Sequence, residues 1–314
     1  MRKYLPVVVS LIFVGIAAYV VVNKKSEHKQ IKESSIQEKR TNIIGRFSKQ
    51  KSCATSPRFL KEKKIPQPVI IDLSQKHYKG IALHYGKGFK QTLHLKQWEQ
   101  FEHFSTYAVD KKGNMYLVPT PFISIIPTTF NLQKNLYKLD SNTGKVSIFM
   151  HFYDVYPSAS NPYGLTAITY DCDDDTLWIA TIDESDYTSQ KGVVYHIDPK
   201  TKEILQKVEG FDVLSMTLLK SDKGKFLLVG SARDNGLYAY PILNNILEDK
   251  VIKLLELPNA NEHIRKIKII ANNQLELQSI PFSYTLIAQT AKQDRLIYNV
   301  TWNPNLRKWL STTL

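Results

Sequence analysis

The sequence lacks the short motifs that identify most catalytic or cofactor-binding centres. It contains no Gly-Lys-Ser/Thr phosphate loop, no Gly-x-Ser-x-Gly nucleophile elbow and no Cys-x-x-Cys pair. Only two cysteines, Cys53 and Cys172, occur in the 314 residues, so a framework of several disulfide bonds is excluded. The two thiols either pair with each other or are unrelated, and the sequence leaves both alternatives open.

The part of the chain that is expected to fold also lacks a strong net charge. Most of the formal net charge of +13 lies in residues 1–64, which contain 15 Lys/Arg and 4 Asp/Glu, whereas the remaining 250 residues contain 27 and 25. A domain that binds duplex nucleic acid is expected to concentrate basic residues on its own folded surface. The charge distribution therefore predicts no nucleic-acid partner.

One long apolar run lies at the N-terminus. Residues 5–22 have the sequence LPVVVSLIFVGIAAYVVV, with two basic residues on each side. At about 1.5 Å per residue, this run is just long enough to cross a bilayer as a helix. A cleaved signal peptide is the alternative, but bulky Tyr19 follows Ala17 and Ala18, where cleavage requires small residues. We predict that residues 1–24 form an uncleaved signal anchor, which binds the membrane through residues 5–22.

The polar segment after the apolar run bears on the location of the rest of the chain. Residues 25–68 are polar, basic and poor in aromatic residues, which predicts a tether. The six Lys/Arg of residues 23–40 would keep the body in the cytoplasm by the positive-inside rule. A short basic start followed at once by an apolar run is instead typical of an export signal, and whole domains cross the membrane largely regardless of charge. We predict a membrane-anchored protein with its body outside the cytoplasm; secretion after cleavage is the alternative.

The body, residues 69–314, is expected to be all-β. Residues 161–205 contain four short runs rich in Val, Ile, Thr and Tyr, separated by turn residues, and parts of this pattern recur along the chain. The first turns of the repeats fall near residues 111, 173, 222 and 272, at intervals of roughly 50–60 residues. A repeated antiparallel unit of this kind predicts a β-propeller of four-stranded blades. The repeats give five blades, or six if an unrecognised pair of strands lies in an insertion; a β-sandwich is the alternative fold.

The chain enters this pattern in mid-blade. Residues 80–94 align with the outer half of the unit, which begins at Gly192, and His84 then matches His196, so we expect both histidines to be structural. A blade that starts with its outer strands needs a strand from elsewhere to close the ring. We expect the C-terminal residues around Trp309 to supply that strand.

The sequence PYGL at residues 162–165, followed by WIATID at residues 178–183, resembles NHL-repeat and SMP-30/gluconolactonase-like propellers. Those proteins carry Pro-Asn-Gly-Leu at the start of the inner strand and an Asp at the end of the second strand. In the metal-dependent members, this Asn and this Asp bind a divalent cation in the central funnel. Asp183 stands at the position of that Asp, but Tyr163 replaces the Asn, and a phenol is a poor ligand for a hard cation. The resemblance therefore implies the fold, and a metal role only for Asp183.

In such propellers, the loops that enter the inner strands and the loops that leave the second strands gather at one mouth of the central channel. Asp183 and Arg233 each end a second strand, so we expect them to orient an anionic or polyol ligand, or to pair with each other. A solvated loop residue is the alternative for every candidate. The polar candidates at this mouth are Asn161, Tyr163, Asp183, Asp186, Arg233, Asp234, Glu262 and His263.

Two other segments have sequences that require an interpretation. The acidic run DCDDD at residues 171–175 lacks the spaced ligands and the central Gly of an EF-hand, so it predicts a solvated hairpin turn at the face opposite the mouth. The apolar loop at residues 119–130 contains three prolines. It predicts either a lid or partner-binding patch beside the mouth, or a plug that packs internally.

No complete catalytic set is visible in the sequence. The favoured function is therefore a non-catalytic propeller that binds an unknown small molecule or protein at its mouth, without a cofactor. The alternative is a metal-dependent hydrolase or lactonase of the gluconolactonase type. That alternative requires a divalent cation on Asp183, with Asn161 and Glu262 as the only plausible further oxygen ligands.

Overall fold

A computed structural model of the protein describes residues 44–49, 54, 56–73, 78–101, 103–121, 130–285, 295–303, 305–306 and 308–314. The predicted anchor at residues 5–22, Cys53 and residues 122–129 of the apolar loop lie outside the described residues. No helix within the described ranges has the length and apolar character that a membrane crossing requires.

The described residues form five antiparallel sheets that follow one another along the chain. The first sheet contains β1 (Ile70–Asp72), β2 (Ala82–Tyr85) and β3 (Gln91–Leu93), and the second contains β4 (Phe104–Val109), β5 (Met115–Pro119), β6 (Asn135–Leu139) and β7 (Val146–His151). The third sheet contains β8 (Leu165–Asp171), β9 (Thr176–Thr181), β10 (Val193–Ile197) and β11 (Ile204–Glu209). The fourth contains β12 (Val213–Ser221), β13 (Gly224–Ser231), β14 (Gly236–Leu243), the short β15 (Ile246–Leu247) and β16 (Ile252–Glu256), and the fifth contains β17 (Glu262–Ala271), β18 (Gln274–Pro281), β19 (Leu296–Asn303) and β20 (Lys308–Thr313). Outside the sheets lie the α-helix α1 (Arg58–Glu62) and the 3₁₀ helices Lys87–Phe89, Lys96–Trp98 and Phe130–Lys134.

Each sheet packs against the next sheet through an apolar core. Between the second and third sheets, Tyr116 and Val118 pack with Leu177, Ile179 and Tyr195. Similar cores join the first sheet to the second, the third to the fourth and the fourth to the fifth. Because a sheet that is apolar on both faces must be covered on both sides, this arrangement is stable as a ring. The predicted all-β propeller with five blades is therefore confirmed.

The innermost strands of four blades are β4, β8, β12 and β17. Each is the first strand on its sheet's path, and neighbours in this series contact one another, so the four strands line the central channel. The turns that follow them lie at residues 110–114, 172–175, 222–223 and 272–273, where the repeat pattern predicts them. The spacing of the repeats in the sequence therefore matches the spacing of the blades in the fold.

Each of these inner strands carries a one-residue bulge near its start. At this point of each inner strand, one residue has no opposite residue on the neighbouring second strand of its sheet. These residues are Ser105, Thr166, Leu214 and Arg265. A β-bulge increases the local twist and redirects the side chain of the extra residue. The four residues occupy equivalent positions of the repeat, and only one of them is charged.

The first sheet has three strands among the described residues. Its strand β2 corresponds to the third strand of a complete blade, because His84 Nε2 lies 3.1 Å from Asp72 Oδ2 on β1, as His196 Nε2 lies 2.8 Å from Thr176 Oγ1 on β9. Both histidines therefore occupy structural strand positions, as expected. The chain enters the propeller in mid-blade.

The expectation that residues around Trp309 complete the first blade is wrong. The strand β20 pairs with β19 in the fifth sheet, with Trp302 opposite Trp309. The two strands are close in sequence, so their pairing costs far less loop-closure entropy than a pairing across the ring. Trp309 also packs against Phe47, at 5.7 Å between the ring centroids.

A part of the segment predicted to be a tether packs against the fourth and fifth blades. Phe47 N donates a hydrogen bond to Asn273 Oδ1 at 2.8 Å, and Asn273 N donates one to the carbonyl oxygen of Phe47 at 2.9 Å. The side chains of Ile44 and Phe47 are buried in the core between these two blades. We name residues 44–49 together with α1 the strap.

The second part of the strap packs against the first two blades. Phe59 and Leu60 of α1 are buried in the core between the first and second sheets. Ala54 lies between the two parts of the strap in the sequence. Together with Cys172, it lines a cavity in the central channel. Cys172 is bonded in a disulfide, and Cys53 is the only other cysteine in the sequence. The strap therefore contacts blades on both sides of the ring.

The acidic run at residues 171–175 forms the predicted hairpin turn, but part of it is buried. Asp171 is 3% exposed, and its Oδ2 accepts a hydrogen bond from Lys225 Nζ at 2.8 Å. The same ammonium group lies 2.6 Å from Asp174 Oδ2. A lysine of the next blade therefore offsets the charge of this turn, so the expectation of a solvated hairpin turn is wrong for Asp171, whereas residues 172–175 are partly or fully exposed.

Candidate functional site

Asp212 is the centre of a buried hydrogen-bond network at the predicted mouth. It directly precedes β12 and is 0% exposed. Its Oδ1 accepts hydrogen bonds from Ser185 Oγ at 2.7 Å and Gly192 N at 2.8 Å, and its Oδ2 accepts one from Tyr284 Oη at 2.5 Å. A Cβ atom at Gly192 would lie 2.5 Å from Asp212 Oδ1, so this approach requires glycine. The carboxylate thus joins the third, fourth and fifth blades.

Arg233 lies at the rim of this network, and its contacts are not with Asp183. Its guanidinium group donates to three backbone carbonyl oxygens within residues 186–189, including that of Asp186, at 2.9–3.1 Å. Its Nη1 also lies 3.7 Å from Asp212 Oδ2. Arg233 therefore ties a loop of the third blade to the fourth blade.

Asn161 and Asp183 are both buried in the third blade. Asn161 Nδ2 donates hydrogen bonds to the carbonyl oxygens of Ile182 at 2.6 Å and Ser185 at 2.8 Å. Asp183 Oδ2 accepts a hydrogen bond from Tyr156 N at 2.7 Å. The amide of Asn161 therefore holds the loop that carries Asp183.

Aromatic side chains form a cluster at the same mouth. The ring of Phe282 lies 5.4 Å from that of Tyr163, 5.2 Å from that of Tyr284 and 5.8 Å from that of His263, measured between centroids. Burial raises the pKa of Tyr163 and lowers the pKa of His263. Neutral rings of the third and fifth blades therefore pack together here.

Two further candidates have their partners within their own blades. Asp234 Oδ2 accepts hydrogen bonds from Tyr238 Oη at 2.5 Å and Lys253 Nζ at 3.2 Å. Glu262 Oε2 accepts one from Ser279 Oγ at 2.7 Å. These carboxylates stabilise the ends of their strands.

The described part of the chain contains no group of three or more His, Cys, Asp and Glu side chains that could hold a metal ion. Asn161 is one of the further oxygen ligands that the metal-dependent alternative requires. Its Oδ1 already accepts a hydrogen bond from the backbone N of Tyr163 at 3.2 Å. A metal role for Asp183 stays a prediction.

We expect Asp183→Asn to raise the stability of the protein at neutral pH. Burial raises the pKa of the Asp183 carboxyl above its usual 3.8, so the folded state binds this proton more tightly than the unfolded state. The native protein therefore loses stability as the pH rises through the raised pKa, whereas an amide does not titrate. Urea unfolding between pH 3.5 and pH 8 should show a gain for Asp183→Asn that is largest above the raised pKa and disappears toward pH 3.5. A gain that is independent of pH would contradict the assignment.

The central channel contains a cavity of about 440 Å³. The second cavity, of about 380 Å³, lies between β1, β4 and β17 and shares Thr106, Tyr107, Arg265 and Lys266 with the first. No apolar core of described residues joins the first sheet to the fifth, so this cavity occupies the seam where the ring closes. We name it the seam cavity. The walls of the first cavity are formed mainly by residues 106–109, 167–170, 214–217 and 265–267.

Three cationic side chains, Arg265, Lys266 and Arg295, line the seam cavity. Within the described ranges, none of them forms an ion pair, and Nη1 of Arg265 is buried without a hydrogen-bond partner. Burial lowers the pKa of Arg265 and of Lys266, and the nearby charge of Arg295 lowers both further. Lys266 and Arg295 are exposed and Arg265 is partly buried, so the cost of burial falls mainly on Nη1 of Arg265, because a buried polar atom without a partner is costly. This atom is the feature of the channel that most needs an explanation.

Asp212, Arg265 and Lys266 are not among the residues predicted from the sequence, although each has a signal there. Asp212 stands directly before an inner strand, a position that lies at the mouth. The pair Arg265-Lys266 places two charges in an inner strand where the equivalent pairs, at residues 105–106, 166–167 and 214–215, are neutral. This difference between the repeats is the signal for the pair.

No family model matches the sequence, and no curated protein matches it. Several solved structures are similar in fold. A glucose dehydrogenase is 11% identical, with 83% of this chain and 79% of that chain covered and a TM-score of 0.41. The Cps50 (Swd1) β-propeller domain of Myceliophteria thermophila is 12% identical, with 79% and 88% covered and a TM-score of 0.39. A chain of a nidogen/laminin complex is 10% identical, with 75% and 86% covered and a TM-score of 0.40.

Proposed function

We propose that the protein is a membrane-anchored binding module of the NHL-repeat or SMP-30-like type, with its propeller outside the cytoplasm. The anchor predicted at residues 5–22 supports the membrane attachment. The disulfide at Cys172 supports the location, because disulfides persist in oxidising compartments. The ligand is a small molecule, and no resident cofactor is part of the proposal.

The observation that carries the binding function is the cavity in the central channel. Its volume of about 440 Å³ falls within the range of roughly 300–1,000 Å³ that is usual for small-molecule sites. Its walls combine apolar side chains such as Met216 with polar ones such as Thr106, Thr217 and Arg265. Polar groups placed among apolar ones on the wall of a cavity fix the orientation of a ligand.

The residues predicted from the sequence have a different part in this proposal. Most of their side chains contact other protein groups, so they hold the shape of the mouth through which a ligand enters the channel. Nδ1 of His263 is the exception among them, because it is buried without a hydrogen-bond partner in the described part of the chain. Arg233 and Tyr163 are the members best placed to touch a ligand on its way, because Arg233 is exposed and Tyr163 is half-buried. The residues predicted at this mouth are Asn161, Tyr163, Asp183, Asp186, Arg233, Asp234, Glu262 and His263.

Filling the channel should abolish ligand binding. We expect a thermal-shift screen of inorganic phosphate, carboxylates, sugar phosphates, polyols, amino acids and the chlorides of Ca²⁺, Mn²⁺ and Zn²⁺ to find a ligand that stabilises the native protein. At a hundredfold excess over the dissociation constant, the shift should be about 5–10 °C. Thr106→Trp and Thr217→Trp place a large side chain in the cavity from two different blades, and the shift should be lost in both.

The matched control is Thr313→Trp, which adds the same side chain at an exposed position of β20 and should keep the full shift. A shift that survives in both filled variants would contradict a site in the channel. A metal-dependent shift that disappears in Asp183→Ala would instead support the hydrolase or lactonase.

A further inference from the structure

We propose that the channel binds a small, multiply charged oxyanion, with Arg265 as its main ligand and with Lys266 and Arg295 beside it. This inference rests on the proposed function and specifies the chemical class of the ligand. Phosphate and carboxylate groups share this chemistry, and both suit the planar guanidinium group, which donates two parallel hydrogen bonds to such groups.

Arg265 is an unusual residue for its position in the repeat. It is the bulged residue of β17, and the equivalent residues of the other inner strands are Ser105, Thr166 and Leu214. Thr166 Oγ1 donates to the carbonyl oxygen of Val213 in the next blade at 2.7 Å. Arg265 makes no corresponding bond through its Nη1. Ser105 bonds to carbonyl oxygens of its own blade, and Leu214 has no polar side-chain group. No structural role that these positions share therefore accounts for the arginine.

Positive charge exceeds negative charge among the described residues that line the seam cavity. Asp72 is the one carboxylate among these described residues, and it contacts His84 Nε2 at 3.1 Å. Among the described residues, the carboxylate of Glu276 acts on Lys266, but Glu276 is already paired with Lys268. Like charges that are held close together without a counter-ion repel one another, and an anion in the cavity would remove this cost.

Neutral side chains with hydroxyl groups also line the seam cavity. Tyr107 and Thr106 line both cavities next to Arg265 and Lys266. Hydroxyl donors beside a guanidinium group complete the coordination of an oxyanion that has several oxygen atoms. The combined cavities are larger than a single inorganic ion needs, so the anion is expected to be part of a small organic molecule.

Isothermal titration calorimetry of the full-length protein in detergent tests this inference, with phosphate, pyrophosphate and citrate as probes and glucose as the neutral probe. We expect an anion to bind with a stoichiometry of one and Arg265→Gln to weaken that binding roughly 10- to 100-fold. Arg265→Lys keeps the positive charge but lacks the planar guanidinium group. Its affinity for the anion should therefore lie between those of the native protein and Arg265→Gln. Arg58→Gln removes the same charge from the exposed start of α1 and should bind as the native protein does.

A second measurement separates a ligand-binding arginine from a structural one. Because Arg265 lacks a partner for Nη1, Arg265→Gln should unfold at or above the native midpoint without an anion and gain no stability when the anion is added. A loss of stability without an anion, or equal anion affinity in all the variants, would overturn the inference. If glucose binds to the native protein but not to Thr106→Trp, the proposed binding function is supported and the oxyanion inference is overturned. If no probe binds, both the binding function and the oxyanion inference are overturned.

Discussion

Replacing Asp212 with alanine is expected to lower the free energy of unfolding by about 3–5 kcal/mol, a large fraction of the stability of a domain. The carboxylate is fully buried, and its loss leaves donors on Ser185, Gly192 and Tyr284 without an acceptor. These donors belong to blades three and five, so the loss should loosen the mouth as well as destabilise the fold. Urea unfolding followed by tryptophan fluorescence measures the change.

Tyr284→Phe provides the matched control for this prediction. It removes one of the three hydrogen bonds and leaves the carboxylate with its other donors, so the expected loss is only about 1–2 kcal/mol. If Asp212→Ala unfolded within about 1 kcal/mol of the native protein, Asp212 would not be the centre of the mouth.

Removing the strap is expected to have the largest effect on folding. A chain that lacks residues 2–68 loses the buried side chains of Ile44, Phe47, Phe59 and Leu60. At about 1.5–3 kcal/mol for each buried side chain, the gross loss of about 6–12 kcal/mol is comparable with the whole stability of a domain. The sequence alone predicts a body that folds from about Val69, whereas the packing of the strap leads us to expect no cooperative unfolding transition in that chain.

A chain that lacks only residues 2–42 is the control, because it keeps the strap and loses the predicted anchor. It should show the far-UV circular dichroism of an all-β protein and a cooperative thermal transition. Equal denaturation midpoints for the two shortened chains would show that the strap contributes little.

The repeat made the fold predictable from the sequence. Strand and turn residues recur with a period that matches the blades, and the histidine at position 84 matches the one at 196 because both contact the preceding strand. Such a pattern is local, so it survives in the sequence whatever the blades pack against. The closure of the ring was not predictable in this way, because it brings β1 and β17, from opposite ends of the body, beside each other, while the strand of Trp309 stays in the fifth sheet.

The site was less predictable, because its residues act across blades. Arg233 contacts a loop that is more than 40 residues away in the sequence. Asp212 accepts a hydrogen bond from Tyr284, which lies 72 residues further along the chain. The seam cavity brings Arg265 and Arg295 beside β1, at the opposite end of the body. The spacing of residues in the sequence does not indicate contacts of this kind. The arginine at residue 265, in contrast, is visible in the sequence as the one charged residue among the equivalent bulge positions.

Crystals of the full-length protein soaked in selenate give the most direct test of a ligand site inside the channel. Selenium scatters anomalously, so the position of a bound oxyanion is measured independently of any assumption about the natural ligand. We predict an anomalous peak in the channel within hydrogen-bond distance of the Arg265 guanidinium group, and its loss in Arg265→Gln. Peaks confined to Arg233 at the mouth or to exposed lysines, with none in the channel, would contradict the account.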